Sequence, residues 1–321
     1  MYNTTNIPSI KTKAIHIVVC INDAYSQHCA ATIASIFINN KNEVIKIHVI
    51  TDYISKKNQS RLEKIAFNFN QQIQFYTFNN STLNRWPCFK DGMPPHVTIQ
   101  TYYRLFIPQI LPLNIKKTFY LDCDLLVLHP LREFWNTKMQ NKGVAAIADQ
   151  WTDYIEAATR LKYRNDREYF NAGVLLLNLE YLRNHNFTNN AIDFVTKHAN
   201  DIVYHDQDVL NKLIGENRII MPVKWNVCSF KINDKIPHIY NATMNDARKD
   251  PYIIHFFAPI KPWNQDSSHP YRSYYYYFLQ FTPWKHEVKC HYSLKNTIRT
   301  FLIKIGLRKS QYAIAPQSYM K

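Results

Sequence analysis

Short apolar runs alternate along this chain with longer segments whose apolar residues recur at helical spacing, and that alternation sets the fold class. Ile15-His-Ile-Val-Val-Cys20 reads as a buried strand, and Gln27 to Ile38 then places Ile33, Ile36 and Phe37 on one helix face. Val44 to Ile50 predicts a second strand, Ser55 an N-cap for a helix through Phe67, and Ile73 to Phe78 a third extended segment. A β-α-β-α-β order of this kind predicts a mainly parallel sheet with helices on its faces. Further strands are expected at Thr118 to Leu121, Leu125 to Leu128, Val144 to Ile147, Gly173 to Leu177 and Ile253 to His255. Thr98 to Ile107 turns helical, with Tyr102, Leu105 and Phe106 on an apolar side and Arg104 off it, and another helix carries His205-Asp-Gln-Asp208 in its first turn.

Sites in such sheets lie beyond the carboxyl ends of the strands. Three segments bring chemistry there: Asn22-Asp23-Ala24-Tyr25, Asp122-Cys123-Asp124 and Ala148-Asp149. The second is the most telling, because two carboxylates one residue apart interrupt two apolar runs. Carboxylate oxygens suit hard cations such as Mg²⁺ or Mn²⁺, which in turn neutralise diphosphates. A strand end with two solvated acids is the plainer reading of the triplet alone.

Composition narrows the chemistry. The chain has 321 residues and only five glycines, and neither G-x-G-x-x-G nor G-x-x-x-x-G-K-[ST] occurs, which argues against dinucleotide and P-loop sites. Six cysteines lack C-x-x-C spacing, so neither a zinc site nor a disulfide framework is indicated. The first residues are polar, without the apolar core of a secretory signal, so a cytoplasmic protein is expected. The net charge of +15 is concentrated late: from Tyr271 onward nine basic residues face Glu287 alone, a net +8. With the run Tyr274-Tyr-Tyr-Tyr-Phe278, this predicts residues 266–321 as a basic, aromatic extension, either resting on an anionic membrane surface or packed on the preceding domain.

Read together, the separated segments resemble glycosyltransferase family 8, retaining enzymes that include bacterial lipopolysaccharide galactosyl- and glucosyltransferases and glycogenin. The resemblance runs from about Ile15 to Trp263. Its anchors are Asn22-Asp-Ala-Tyr25, Arg104, Asp122-Cys-Asp124, Asn171-Ala-Gly-Val-Leu-Leu-Leu-Asn178, His205-Asp-Gln-Asp208 and His255-Phe-Phe-Ala-Pro-Ile-Lys-Pro-Trp263. It implies a GT-A fold, an α/β architecture with a Rossmann-like, mainly parallel mixed sheet flanked by helices, over residues 1–265. It also implies Mn²⁺ or Mg²⁺ held by Asp122, Asp124 and His255, a ligand set whose imidazole shifts preference toward Mn²⁺.

By position, the resemblance assigns Tyr25 and Asp23 to the nucleotide, and Arg104, Asp149, Asn171, Ala172, Asp206 and Gln207 to the sugar. Lys261 and Ala258 go to the diphosphate, with Gln207, Asp206 and Lys261 as the catalytic set. Two positions depart from the family pattern: Asn22 stands where many relatives have an acid, and Ala258 where a glycine is common. The implied reaction is transfer of a hexose, galactose before glucose, from a UDP-sugar to a saccharide or lipid-linked saccharide in lipopolysaccharide or lipooligosaccharide synthesis. The implied place is the cytoplasmic face of the inner membrane. Two other classes stay open on the residues: a nucleic-acid-binding protein, which the charge would suit but the strand-end acids would not, and a non-enzymatic glycan-binding relative. No specific nucleic-acid partner is expected.

Overall fold

A computed structural model describes residues 13–81, 83, 86, 98–164, 168–228, 239–257, 259–264, 267, 269–287, 298, 302, 305 and 307. The chain opens with Ile15–Cys20 (β1), Ser26–Asn39 (α1), Ile45–Thr51 (β2), Lys56–Asn68 (α2) and Gln72–Thr77 (β3). These three strands pair in parallel, with Ile15 opposite Ile45 and Lys46 opposite Gln72. Ser55 caps α2 by accepting a hydrogen bond from the Asn58 N–H at 3.3 Å, as its position before a helical pattern predicts.

A 3-10 helix, Ile99–Phe106, runs into the short Ile107–Ile110 (α3), and Lys117–Leu121 (β4) and Leu125–Val127 (β5) follow. Arg132–Trp135 (α4), Val144–Ala148 (β6), Tyr154–Arg160 (α5), Phe170–Asn178 (β7), Leu179–Asn184 (α6) and Phe187–Lys197 (α7) come next. The described chain continues through His205–Ile214 (α8), Arg218–Met221 (β8), Ile239–Lys249 (α9), Ile253–His255 (β9) and Arg272–Leu279 (α10).

The large sheet has the order β3-β2-β1-β4-β7-β6-β8, and β7 alone runs antiparallel to both its neighbours. A small antiparallel pair, β5 with β9, sets Leu125 opposite His255. Side chains sort by strand alternation: Phe119 and Leu121 enter a core with α1, α2, α10 and the small sheet, while Tyr120 enters one with the 3-10 helix, α3, α6, α7 and α8. The polar residues of α1 serve the small sheet. Thr32 Oγ1 donates to the Leu125 carbonyl at 2.7 Å, and Ser35 Oγ accepts the Val127 N–H at 2.9 Å.

Three expectations shift. The apolar side of the Thr98 to Ile107 segment is found, but as a 3-10 helix, and Arg104 is buried rather than turned outward. β7 begins three residues earlier than its apolar run, because a register shift between Ala146 and Ile147 of β6 lets Asn171 and Phe170 keep pairing. The tyrosine run does not lie on the surface: Tyr274, Tyr275, Tyr276 and Phe278 are buried, and α10 packs on α1. Arg272, one of the basic residues of that stretch, is buried as well and donates to the Pro262 carbonyl at 2.8 Å. Packing continues to Glu287, paired with Arg61 at 2.5 Å, and Arg61 lies over the Trp284 ring. Among the described residues no helix is long and apolar enough to cross a membrane.

Candidate active site

The chain leaves the large sheet at Leu121 and enters the small one at Leu125, and the acidic triplet is the joint between them. Its backbone is fixed from both sides: Asp122 N–H donates to the Gly173 carbonyl at 2.9 Å, and the Phe256 N–H donates to the Asp124 carbonyl at 2.8 Å. Because β9 pairs with β5, His255 arrives beside the two acids. Its Nε2 lies 3.6 Å from Asp122 Oδ2 and 3.3 Å from Asp124 Oδ1.

Each carboxylate has one oxygen held by the protein and the other turned to the imidazole. Asp122 Oδ1 accepts from Arg104 Nη2 at 2.9 Å and from the Tyr120 hydroxyl at 2.6 Å. Asp124 Oδ2 accepts from Lys261 Nζ at 2.6 Å. Burial would raise the Asp124 carboxyl, but Lys261 and His255 outweigh it and hold the group well below the usual carboxylate range. One atom from each of Asp122, Asp124 and His255 lies within 4.8 Å of the others, and these two oxygens and one nitrogen could hold a hard divalent cation. Far from being solvated, the two side chains are 23% and 13% exposed.

Gly173, in the neighbouring strand, leaves the space this cluster fills. A Cβ there would sit 2.3 Å from His255 Cε1 and 2.6 Å from Asp122 Oδ2. A glycine within an otherwise apolar strand is the sequence signal for such a close approach.

The triad forms one wall of a cleft of about 510 Å³ whose lining includes Tyr25, Arg104, Asp149, Gln207 and Lys261. On the side away from Lys261 the polar groups are tied together. Asp149 Oδ1 accepts the N–H groups of Trp151 and Thr152, and its Oδ2 accepts from Asn171 Nδ2 at 3.0 Å and Gln207 Nε2 at 3.3 Å. Gln207 Oε1 accepts the Ala172 N–H at 2.9 Å. Arg104 Nε lies 3.0 Å from Asp206 Oδ2, and Nη1 donates to the Ala172 carbonyl, so this guanidinium bridges Asp122 of the acidic joint and the helix acid Asp206. Burial pushes the Asp206 carboxyl up to about 6 against the pull of Arg104.

At the other end Tyr25 meets Trp263 edge-on at 5.9 Å, and His28 stacks on Trp263 at 3.6 Å. Burial pushes His28 down to about 3, so this aromatic floor is neutral. Asn22 Oδ1 accepts the Tyr25 N–H at 3.0 Å, an acceptor role that an acid would fill equally well. Asp23 does not line the cleft. It accepts from Ser55 N–H at 2.8 Å and Asn58 Nδ2 at 2.9 Å, tying the first turn to α2.

Asp208 is structural: fully buried, it accepts from Arg160, the Tyr169 hydroxyl and the N–H groups of Val203 and Tyr204. Ala258 lies outside the described residues. Asn226, buried against His255, had no signal in the sequence, since nothing about an asparagine 29 residues earlier marks it as a neighbour of that ring.

Over most of its length the chain is similar to known proteins. The model of glycosyl transferase family 8 matches residues 16–267. General stress protein A of Bacillus subtilis is 29% identical over 281 residues, spanning 85% of this chain and 96% of the relative. The lipopolysaccharide 1,3-galactosyltransferase of Salmonella typhimurium is 25% identical, over 80% of this chain and 75% of its own. A crystal structure of the galactosyltransferase LgtC with donor and acceptor sugar analogs superposes with a TM-score of 0.74 at 22% identity, covering 85% of this chain and all of LgtC. That likeness in fold places the acidic joint and the final histidine strand in a GT-A framework, and the family match spans both: the chain belongs to glycosyl transferase family 8 and is a glycosyltransferase.

Proposed function

We propose that this enzyme moves a hexose from a UDP-sugar to a hydroxyl of a saccharide acceptor, with retention at the anomeric carbon and dependence on a divalent cation. The observation that carries the reading is the convergence of Asp122, Asp124 and His255, with Lys261 beside them, on one cleft that also holds Asp149 and Gln207. Bound there, Mn²⁺ or Mg²⁺ would supply positive charge to the diphosphate as it leaves. Lys261, now on Asp124, offers a second cation to the same phosphate oxygens. Tyr25 on its Trp263 floor suits the flat face of uracil. The amides and carboxylates around Asp149 suit sugar hydroxyls, where every unpaired partner costs affinity.

In the reaction the bond from the anomeric carbon to the phosphate oxygen breaks, and the acceptor oxygen bonds to that carbon on the same face. The acceptor proton passes to the leaving phosphate oxygen. Double displacement needs a nucleophile on the opposite face. The buried, multiply bonded Asp208 carboxylate argues against that residue, and Gln207 offers only a neutral amide. Among donors we favour UDP-galactose over UDP-glucose, with a lipopolysaccharide or lipooligosaccharide acceptor, in line with the 1,3-galactosyltransferase named above. The test is a screen of UDP-hexoses by UDP release with Mn²⁺ present, since slow donor hydrolysis needs no acceptor. Release from UDP-galactose that stops on chelation is expected; no release from any UDP-hexose would sink the reading.

Residues 288–321 carry seven Lys or Arg and no acid, and Ile298, Ile305 and Leu307 are 48–75% exposed. We assign this segment to an anionic membrane surface at the cytoplasmic face, where each basic residue adds about 1 kcal/mol. A chain ended after Glu287 should keep donor hydrolysis yet sediment less with phosphatidylserine vesicles than the full chain does at low salt. Equal sedimentation of the two would remove the segment from membrane binding.

A further inference from the structure

His255 has a second neighbour that the reaction scheme above leaves unused. Its Nδ1 lies 3.0 Å from Oδ1 of Asn226, an amide with no solvent exposure. The backbone around Asn226 is fixed on two sides. Gln150 Nε2 donates to the Asn226 carbonyl at 2.5 Å and Gln150 Oε1 accepts the Cys228 N–H at 3.2 Å, while the His255 N–H donates to the Val227 carbonyl at 3.1 Å.

Which end of the Asn226 amide faces the ring follows from hydrogen-bond polarity further along. The Gly173 N–H can only donate. The Asp149 carboxylate, which receives two backbone N–H groups and two side-chain amides, can only accept. Asn171, between them, must therefore give Oδ1 to Gly173 and Nδ2 to Asp149, each at 3.0 Å. That same Oδ1 receives Asn226 Nδ2 at 2.9 Å. With its NH₂ spent there, Asn226 turns its oxygen to His255 at 3.0 Å, a contact that calls for a hydrogen on Nδ1, while the Cys228 thiol, 3.1 Å from that oxygen and 3.6 Å from Nδ1, gives its own hydrogen to the oxygen. Nε2 then faces Asp122 and Asp124 with a lone pair to offer.

We propose that Asn226 is a positioning residue: it holds His255 in the Nδ1–H tautomer with Nε2 turned toward Asp122 and Asp124, where these three residues would hold a cation. Through Asn171 it also ties that imidazole to Asp149 and Gln207 on the sugar side. The inference rests on the metal reading given under the proposed function. Groups that orient a ligating imidazole are worth roughly 10–100-fold in metal affinity or activity.

Two measurements test it. In the full-length protein labelled with ¹⁵N-histidine and loaded with diamagnetic Mg²⁺ and UDP, long-range ¹H–¹⁵N spectra should assign His255, identified by its loss in His255→Ala, to the Nδ1–H form. An Nε2–H form would overturn the proposal, and this result does not depend on any change at Asn226. Second, Mn²⁺ affinity in the presence of UDP, read by electron paramagnetic resonance, should fall about 10–100-fold in Asn226→Ala. Asn226→Asp still accepts the Nδ1 hydrogen and should recover that affinity. It cannot donate to Asn171, so its kcat should stay low. A folded Asn226→Ala that binds Mn²⁺ as the unchanged chain does would defeat the proposal. An unchanged chain that binds no Mn²⁺ would instead defeat the metal reading itself.

Discussion

Asp124→Asn should give a folded protein with turnover reduced by about a thousandfold, the equivalent of roughly 4 kcal/mol of lost transition-state stabilisation. The amide has nearly the shape of the carboxylate and can still accept from Lys261 Nζ, which keeps its second bond to the Phe256 carbonyl at 2.7 Å. What disappears is the charge. Asp124 is the acid that faces both His255 and Lys261, so on the proposed reading its loss removes a cation ligand and unbalances the lysine assigned to the phosphate. Initial rates of UDP release at saturating Mn²⁺, with a melting curve on the same sample, check it. An unchanged melting temperature with activity within about tenfold of the parent would contradict the assignment, because that leaves under 1.4 kcal/mol for the charge.

Much of this arrangement was legible before any coordinates, and for a physical reason. Strands buried on both faces write themselves as short, mostly apolar runs, so β1, β2 and β4 stand out even with His16, Lys46 and His48 among them, and acids placed between two such runs stand out as well. His255 was legible only through its motif, since the pairing of β5 with β9 that carries it to Asp122 spans more than a hundred residues. Arg104 was legible as a site residue only through the resemblance, because helical periodicity by itself sets a charge beside apolar neighbours off the apolar side. Here two carboxylates, the partly buried Asp122 and the buried Asp206, make an inward guanidinium favourable. The tyrosine run failed for a related reason. Its composition fits a membrane interface, yet Tyr275 finds His28 and Gln27 as hydrogen-bond partners at 2.8 and 3.1 Å on α1, and the rings bury around them. Asn226 was beyond reach, because a side-chain relay is a property of the assembled site.

Gly173→Ala should be nearly as damaging to activity, although it adds one methyl group and removes no functional atom. The new Cβ would overlap His255 Cε1 and Asp122 Oδ2, and neither can retreat freely. Asn226 stands against the imidazole on one side, while Arg104 and Tyr120 grip the Asp122 carboxylate. A displacement of about 1 Å at reacting groups costs on the order of a hundredfold, so kcat/KM should drop at least that far. Overpacking should cost a further 1–3 kcal/mol or so of stability. Gly143→Ala is the matched control, since its Cβ would press on the Tyr181 ring at 3.0 Å, away from the cleft. It should lower the melting temperature while leaving kcat/KM near the parent value. Equal activity in the two variants would mean that the space at Gly173 does not set the geometry of the ligands.

The order of the elements along the chain has a consequence for the protein as it is made. The ribosome delivers β1, α1 and the acidic joint first, whereas His255, Lys261 and the tyrosine helix come last. Until α10 docks, the outer side of α1 is bare of its cover, and until β9 pairs with β5 the two carboxylates have no imidazole beside them. A nascent or prematurely released polypeptide therefore exposes apolar surface of the sort that quality-control proteases recognise, and it does so while chemically inert. Among the described residues, docking of β9 and α10 covers the core and brings His255 to the two acids, so a fragment that ends before them is expected to lack the cover and the histidine together.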